Sequence, residues 1–122
     1  MAQFRPLDPA FPMDRQLAVA AAPVVLMNIF SVDAGDVDAL FRAWERDALW
    51  MKKRPGFIST QLHRAIGDSN VLLNYAVWES VDHFRQAFTH PEFQSHIADY
   101  PPSAVVSPHL FQKMAVANIC VA

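Results

Sequence analysis

The sequence of 122 residues has only one cysteine, Cys120, and three glycines. A single cysteine excludes an internal disulfide framework and is typical of a protein from a reducing compartment. With so few glycines, the chain offers no glycine-rich loop to hold the phosphates of a nucleotide or a flavin. A G-x-S-x-G sequence is also missing, and no histidine neighbours the cysteine, so neither kind of nucleophile is indicated. If the protein is an enzyme, we expect it to use no cofactor, or a substrate that takes the cofactor's part.

Charge is also scarce, since charged residues make up 18% of the chain and the net charge is −2. The one basic run, Lys52-Lys53-Arg54, is short, which argues against a nucleic-acid partner. The five histidines form no H-x-H or H-E-x-x-H pattern, so no metal site is predicted. The longest run of small apolar residues, Leu17 to Pro23, is too short to span a bilayer. No signal peptide is recognisable, and we expect a cytoplasmic protein without a membrane partner.

What the chain does have is apolar residues, which make up 52% of it. This length predicts a single domain with one core. The apolar surplus suggests burial in an oligomer or around an apolar ligand. Residues 1–22 show no sustained periodicity and contain Pro6, Pro9 and Pro12. We predict an N-terminal arm over 1–22, which either packs on a neighbouring subunit or hangs free, and a domain over 23–122.

The hydrophobic periodicity of that domain predicts the order strand, helix, strand, strand, helix, strand. This order is typical of an α+β sandwich of ferredoxin-like topology, βαββαβ, with the helices on one face of an antiparallel sheet. Asp33 or Asp36 is the expected N-cap of the first helix, and Ser80 that of the second. The predicted strands are Val24–Val32, Phe57–Arg64, Val71–Trp78 and His109–Val121; the predicted helices run from about 35 to 53 and from 81 to 88, with a further turn or two over 92–99.

The second face of this sheet is apolar as well, although the sequence contains no second layer of helices. Alternation along two strands places on it Val25, Met27, Ile29, Leu73, Tyr75 and Val77. Another copy of the sheet is the simplest cover for such a surface. We therefore predict a homodimer whose two sheets pack face to face.

Two lone amides interrupt the helix-facing side of the sheet, Asn28 and Asn74. Trp78 shares that side with Asn74, and the small Ala76 lies between them, which leaves a space about as wide as a flat ring. Both Asn74 and Trp78 carry N–H donors. The structural alternative is that each amide pairs with the backbone and that Trp78 is core, because buried polar groups usually find such partners. Two such amides in two strands are harder to explain in this way than one.

Four motifs of the chain resemble one family: Met27-Asn28-Ile29-Phe30, Pro55-Gly56-Phe57, Asn74-Tyr75-Ala76-Val77-Trp78 and His90-Pro91-Glu92-Phe93. They look like the antibiotic biosynthesis monooxygenase domain, over about Val24 to Val116. An asparagine in the first strand together with Asn-x-x-x-Trp in the third is the narrower signal. It resembles the cofactor-independent monooxygenases of aromatic polyketide pathways, such as those of nogalamycin, tetracenomycin and actinorhodin. Phe84 and Ala98 stand where the actinorhodin branch has tyrosine and arginine, so the nogalamycin-like arrangement fits better.

The resemblance implies a sheet-to-sheet dimer that oxidises an anthrone-type aromatic polyketide to a quinone, with molecular oxygen as co-substrate and no cofactor. It also implies that Asn28, Asn74 and Trp78 line the substrate cavity. His96 is the candidate base, because histidine exchanges protons near neutral pH. We expect the cavity to lie between the sheet and the helices, lined by Leu26, Phe30, Leu40, Phe41, Trp44, Leu72, Phe84, Phe88, Phe93 and Ile97.

Two other functions remain open at this point. A non-catalytic protein of the same fold would bind a polycyclic product, or assist a cyclase, with the same apolar cavity but without facing amides. A haem-degrading monooxygenase would share the first-strand asparagine and a histidine near His96. Such relatives also carry a tryptophan near Ala87, which this chain lacks.

Overall fold

The computed structural model describes residues 2–122 as a five-stranded sheet with its helices on one face. The predicted α+β class and ferredoxin-like arrangement are confirmed. Two single 3₁₀ turns, Ala34–Asp36 and Ile97–Asp99, adjoin the helices. The strands are β1 (Gln3–Phe4), β2 (Val24–Ser31), β3 (Phe57–Arg64), β4 (Val71–Trp78) and β5 (Val105–Phe111); the helices are α1 (Met13–Gln16), α2 (Val37–Met51), α3 (Val81–Phe88) and α4 (Pro91–His96).

The sheet has the strand order β1-β5-β2-β4-β3, so β2 lies at its centre. β2 pairs antiparallel with both β4 and β5, and β3 pairs antiparallel with β4. The face towards α2 and α3 holds the core, which includes the fully buried Leu40, Leu72, Trp78 and Phe84. Residues on the opposite face, such as Ile29 and Leu73, are only partly buried, because no helix of the described residues covers them.

The N-terminal segment packs against the sheet of its own chain. β1 adds a short parallel strand to the edge of β5, with the Gln3 N–H donating to the Ala104 carbonyl at 2.8 Å. Further along, the buried Gln16 accepts a hydrogen bond from the Leu110 N–H at 2.9 Å. The arm thus closes the free edge of β5, while the boundary between residues 22 and 23 stays a prediction.

The prediction of a final strand over His109–Val121 is wrong. β5 begins earlier, at Val105, and residues 112–122 are exposed. The strand includes Pro108, which has no N–H to donate. The N–H of Leu110 and the carbonyl of Val106 both bond to the N-terminal segment rather than to β2. Pro108 lies two residues from each of them in β5, so its backbone nitrogen points in the same direction, away from β2. No hydrogen bond between β5 and β2 is therefore lost at the proline.

The ends of the helices agree only partly with the predicted caps. Ser80 caps α3, since its Oγ accepts from the His83 N–H at 3.1 Å. Asp36 occupies the N-cap position of α2 without making a side-chain cap bond. Its carboxylate instead accepts from the Ser103 hydroxyl at 2.7 Å, which ties the start of α2 to the segment before β5.

Gly56, in the turn between α2 and β3, is required by its surroundings. Its φ of +85° lies in the left-handed region that favours glycine. A Cβ at this position would come within 2.2 Å of the His83 side chain. The close approach lets the Gly56 carbonyl accept from the Glu79 N–H at 2.8 Å, which fastens the turn to the end of β4.

Candidate active site

The two lone amides lie directly opposite each other in neighbouring strands. The register of β2 and β4 pairs Asn28 with Asn74, and β5 places Pro108 on the other side of Asn28. Directly opposed residues have Cβ atoms about 5 Å apart, so both amides occupy one spot on the helix-facing side. The Oδ1 atom of Asn28 is buried and has no hydrogen-bond partner among residues 2–122. An unpaired buried amide oxygen is unfavourable for folding, which argues against a purely structural role for Asn28.

A hydroxyl on the next strand orients the second amide. Thr60 of β3 donates to Oδ1 of Asn74 at 2.5 Å. With its oxygen engaged in this way, Asn74 retains its two N–H donors for another acceptor. Thr60 itself also lies in the wall of the adjacent cavity.

Trp78 lies four residues beyond Asn74 on the same face of β4 and is only 1% exposed. Two phenylalanines hold its ring edge-on, Phe57 at 5.4 Å and Phe84 at 5.7 Å between centroids. The side chain of Ala76, between Trp78 and Asn74, is small, so it leaves space in the cavity above the sheet at this point. The indole is therefore fixed in orientation as one end of a shallow floor on the sheet.

Above this floor is a cavity between the sheet and α2, α3 and α4, and it brings most of the predicted residues together. A second lobe, whose walls also include Asn28, extends towards the N-terminal segment and is lined there by Ala2, Phe4 and Ile97. Of the residues predicted from sequence, the main lobe is lined by Leu26, Asn28, Phe30, Trp44, Asn74, Trp78, Phe84, Phe88 and Phe93.

Three residues predicted for the lining lie elsewhere. Leu40 and Leu72 are fully buried in the neighbouring core and do not line either lobe. Phe41 is exposed, because the buried stripe of α2 runs through Leu40, Ala43 and Asp47 and leaves Phe41 at its margin.

The cavity also contains a carboxylate, Asp47 of α2, that the sequence patterns did not single out. Asp47 is 5% exposed, and its Oδ1 is 3.0 Å from Nδ1 of His96. Oδ2 has no hydrogen-bond partner among residues 2–122. His96, the residue predicted as the base, does not line either lobe; it lies behind Asp47 as its partner.

Burial is the main influence on the pKa values of Asp47 and its neighbour Tyr100. It raises the pKa of the Asp47 carboxyl above its ordinary value of 3.8, although the neighbouring Tyr100, His96 and Arg46 act in the opposite direction. The pKa of the Tyr100 hydroxyl is raised too, by burial and then by the charge of Asp47. Tyr100 lies in the cavity wall, where its ring stacks parallel to Phe30 at 6.1 Å. Since neutral Tyr100 is the stable form, Asp47 is the group of this pair that can take up a proton.

Within residues 2–122 no three His, Cys, Asp or Glu side chains are grouped in a way that would hold a metal ion. No helix in the same range combines the length and apolar character that crossing a membrane requires.

The antibiotic biosynthesis monooxygenase family profile matches residues 23–99. The chain belongs to this family. No curated protein is significantly similar to it in sequence. Among solved structures, SnoaB from Streptomyces nogalater, described as a cofactor-independent oxygenase, is 28% identical with a TM-score of 0.71, and the match covers 80% of this chain and 99% of SnoaB.

Two further solved structures show how widely this fold of the monooxygenase family occurs. A protein from Shewanella loihica PV-4, provisionally described as a monooxygenase, is 31% identical with a TM-score of 0.66, over 81% of this chain and 100% of its own. Rv0793 from Mycobacterium tuberculosis is 16% identical with a TM-score of 0.65, over 80% and 100%. The last likeness concerns the fold alone.

Asp47 could have been found in the sequence of this monooxygenase from its place on α2. Leu40, Ala43, Asp47 and Met51 follow one another at helical spacing, so a charged residue stands where the stripe calls for an apolar one. Tyr100 gives no comparable signal, because it precedes the Pro101-Pro102 turn outside any periodic element.

The raised pKa of Asp47 predicts that its charge lowers the stability of the fold. The folded protein binds the proton more tightly than the unfolded chain, so stability falls as pH rises from about 4 through the folded-state pKa. We expect Asp47→Asn to raise the melting temperature at pH 7 and to flatten this part of the stability–pH curve. Asp38→Asn, an exposed change on the same helix, serves as the control. Thermal unfolding between pH 4 and 8 measures both; a lower melting temperature for Asp47→Asn at pH 7 would contradict the assignment.

Proposed function

We propose that this protein is a cofactor-independent monooxygenase that oxidises an anthrone-type aromatic polyketide to a quinone. The observation that carries the proposal is the opposed pair Asn28 and Asn74 on the floor of an aromatic cavity. The description of SnoaB as a cofactor-independent oxygenase supports it. The net reaction converts a ring CH₂ and O₂ into a carbonyl and water.

Oxygen reacts slowly with closed-shell molecules because its ground state is a triplet, and a metal or flavin usually donates the first electron. An anthrone can donate that electron itself once it has lost a benzylic proton, because the resulting enolate is delocalised and electron-rich. The carbanion carbon then bonds to oxygen, and a proton completes a hydroperoxide. Loss of the second C–H proton with cleavage of the O–O bond gives the carbonyl and hydroxide, which a returned proton converts into water.

The protein's task in this scheme is to favour the enolate. N–H donors of Asn28 and Asn74 would bind the substrate oxygen on which negative charge develops. Removal of one such donor typically costs about 3 kcal/mol of transition-state stabilisation. Thr60 supports the role of Asn74, because its bond to Oδ1 keeps the amide turned with its donors free.

Trp78 would form the end wall and offer its indole N–H to the oxygen adduct. Four residues along a strand correspond to about 13 Å, a span that suits a flat system of fused rings between Asn74 and Trp78. Phe84, Phe88 and Phe93 form a chain of tilted rings across the top of the cavity, with neighbouring centroids about 5.5 Å apart. Such walls would bind an aromatic face and limit the entry of water.

A homodimer forms part of the same proposal. The outer face of the sheet carries Met27, Ile29 and Leu73 in adjacent positions of β2 and β4, partly exposed to solvent. Contiguous apolar surface of this kind is unusual on a monomer. A second copy of the sheet would cover it.

Oxygen uptake with dithranol tests the proposed activity. Metal-free protein should consume oxygen well above the uncatalysed rate. Asn74→Ala and Asn28→Ala should each lower kcat by about a hundredfold, with little change in KM, because the lost interaction strengthens in the transition state. If both amides bind one oxyanion, the loss of kcat in the double variant should be smaller than the product of the two single losses. Asn70→Ala, at the tip of the β3–β4 hairpin, is the matched control and should retain full activity.

Trp78→Phe separates the indole N–H from the aromatic wall in the same assay, since it removes the donor and keeps a smaller aromatic ring; a large loss of kcat with an unchanged melting temperature would support the donor role. Tight binding of dithranol without uptake would favour the non-catalytic binding protein. Uptake that depends on added haemin would favour the haem-dependent enzyme. Three fully active variants that merely melt at lower temperature would mean that the amides are core residues.

Leu73→Asp tests the dimer. Light scattering should give twice the chain mass of 13.7 kDa for the unaltered protein and a single chain mass for the variant. A carboxylate buried between two sheets has no partner and disfavours their contact. The control Ile66→Asp lies at a hairpin position that is 93% exposed, and it should remain dimeric. An unaltered protein that is monomeric at micromolar concentration contradicts the face-to-face arrangement.

A further inference from the structure

Asp47 is an acidic residue in the wall of a mainly apolar cavity. It supplies the only carboxylate in the walls of either lobe among residues 2–122, and the neighbouring lining is mainly aromatic and aliphatic. A buried carboxylate without full hydrogen bonding is unfavourable for folding. Its companion in the wall, Asn28, lines both lobes as well, and Oδ1 of Asn28 has no hydrogen-bond partner among the described residues. Two incompletely satisfied polar groups in one apolar cavity indicate a ligand that completes them.

The contacts of Asp47 leave one of its oxygens without a hydrogen-bond partner among residues 2–122. Oδ1 is bonded to Nδ1 of His96 at 3.0 Å, which fixes the plane of the carboxylate. Oδ2 has no partner within residues 2–122. The Tyr100 hydroxyl lies near enough to lower the pKa of Asp47, but it makes no hydrogen bond of normal geometry to Oδ2 among residues 2–122. A carboxylate whose plane is fixed by a histidine through one oxygen has the arrangement of an oriented general base.

We propose that Asp47 is the general base that takes the acidic C–H proton of the substrate, and that His96 is a positioning residue behind it. This inference rests on the proposed function for the kind of substrate. The benzylic C–H bond breaks, its electron pair stays on the substrate as the enolate, and the proton goes to Oδ2. Asp47 returns this proton to the peroxide oxygen, takes the second C–H proton, and gives that one to the departing hydroxide.

The charged and titratable groups around Asp47 fit this role. Burial raises the pKa of Asp47 and prevails, although the Tyr100 hydroxyl, then His96 of α4 and Arg46 of its own helix, act to lower it. Arg46 is itself paired with Asp99 at 2.7 Å, which limits its effect. Tyr100 lies beside the carboxylate with a raised pKa of its own and stays protonated. A carboxylate with a raised pKa is a stronger base towards carbon acids than an ordinary aspartate.

The spatial arrangement also separates the base from the amides that stabilise its product. Asn74 and Thr60 lie on the sheet, while Asp47 approaches from α2 on the opposite side of the same lobe. A substrate between them presents its oxygen to the floor and a C–H bond to the helix. The two parts of the site can therefore be inactivated one at a time.

Anaerobic hydrogen exchange tests the base without the oxygenation step. Dithranol is incubated with the protein in D₂O without oxygen, and loss of its benzylic proton signal is followed by NMR. The unaltered protein should accelerate exchange above the solution rate. Asp47→Asn should lower the protein-dependent rate by about a hundredfold or more, because general bases typically contribute 10²- to 10⁴-fold. Asp38→Asn should exchange at the full rate, and quenching of tryptophan fluorescence should show that both variants bind dithranol.

The outcomes distinguish this inference from the function on which it rests. Exchange without oxygen uptake would overturn the proposed oxygenase and leave the base assignment standing. Oxygen uptake together with unchanged exchange in Asp47→Asn would overturn the base assignment and leave the oxygenase standing. No protein-dependent exchange in the unaltered protein would also overturn the assignment.

His96→Asn provides the readout for positioning. His96 lowers the pKa of Asp47, so its removal should raise that pKa further, and the base is active only when deprotonated. The acidic limb of kcat/KM against pH should therefore move to higher pH in His96→Asn, with activity recovered as pH rises. A uniform loss at all pH values, without displacement of the limb, would show that His96 does not act through Asp47.

Discussion

The antiparallel register between β2 and β4 determines the chemistry available to this protein. It pairs Asn28 with Asn74 and thereby brings two isolated amides together as one polar cluster in an apolar surface. A slip of one residue would carry a whole strand's side chains to the other face, placing Ile29 or Tyr75 where an amide now stands. The apolar residues around them, such as Leu26 and Leu72, make that slip unfavourable, because their burial depends on the same alternation.

Two polar groups near this floor lower the stability of the fold. Asp47 stands at a position of the buried stripe of α2 where an apolar residue is expected, and Oδ1 of Asn28 has no hydrogen-bond partner in the part of the chain from residue 2 onward. Both lower the free energy of unfolding, whereas the aromatic packing of Trp78 on Phe84 nearby raises it. Polar groups kept incompletely satisfied at one place in an otherwise apolar core are the usual sign of a functional site.

The sequence predicted the floor of the site better than its roof. Alternation in the two strands was enough to bring Asn28, Asn74 and Trp78 to one face, because strand periodicity leaves only two choices. Asp47 in the roof was missed, because an acidic residue on an amphipathic helix is normally assigned to the solvent side; its place between Ala43 and Met51 on the buried stripe was the signal that marked it. Nor did the sequence place the last strand, because a proline normally argues against a strand, and the direction of the Pro108 nitrogen is known only from the sheet.

Stabilisation of the substrate enolate by the paired amides is measured most directly by the absorbance of bound dithranol. Without oxygen, bound dithranol can be titrated, because its absorbance differs between the neutral and ionised forms. The pKa of dithranol bound to the protein should lie below its pKa in solution, and Asn74→Ala should abolish most of the difference. A bound substrate that ionises at its solution pKa would contradict a role of the amides in stabilising the enolate.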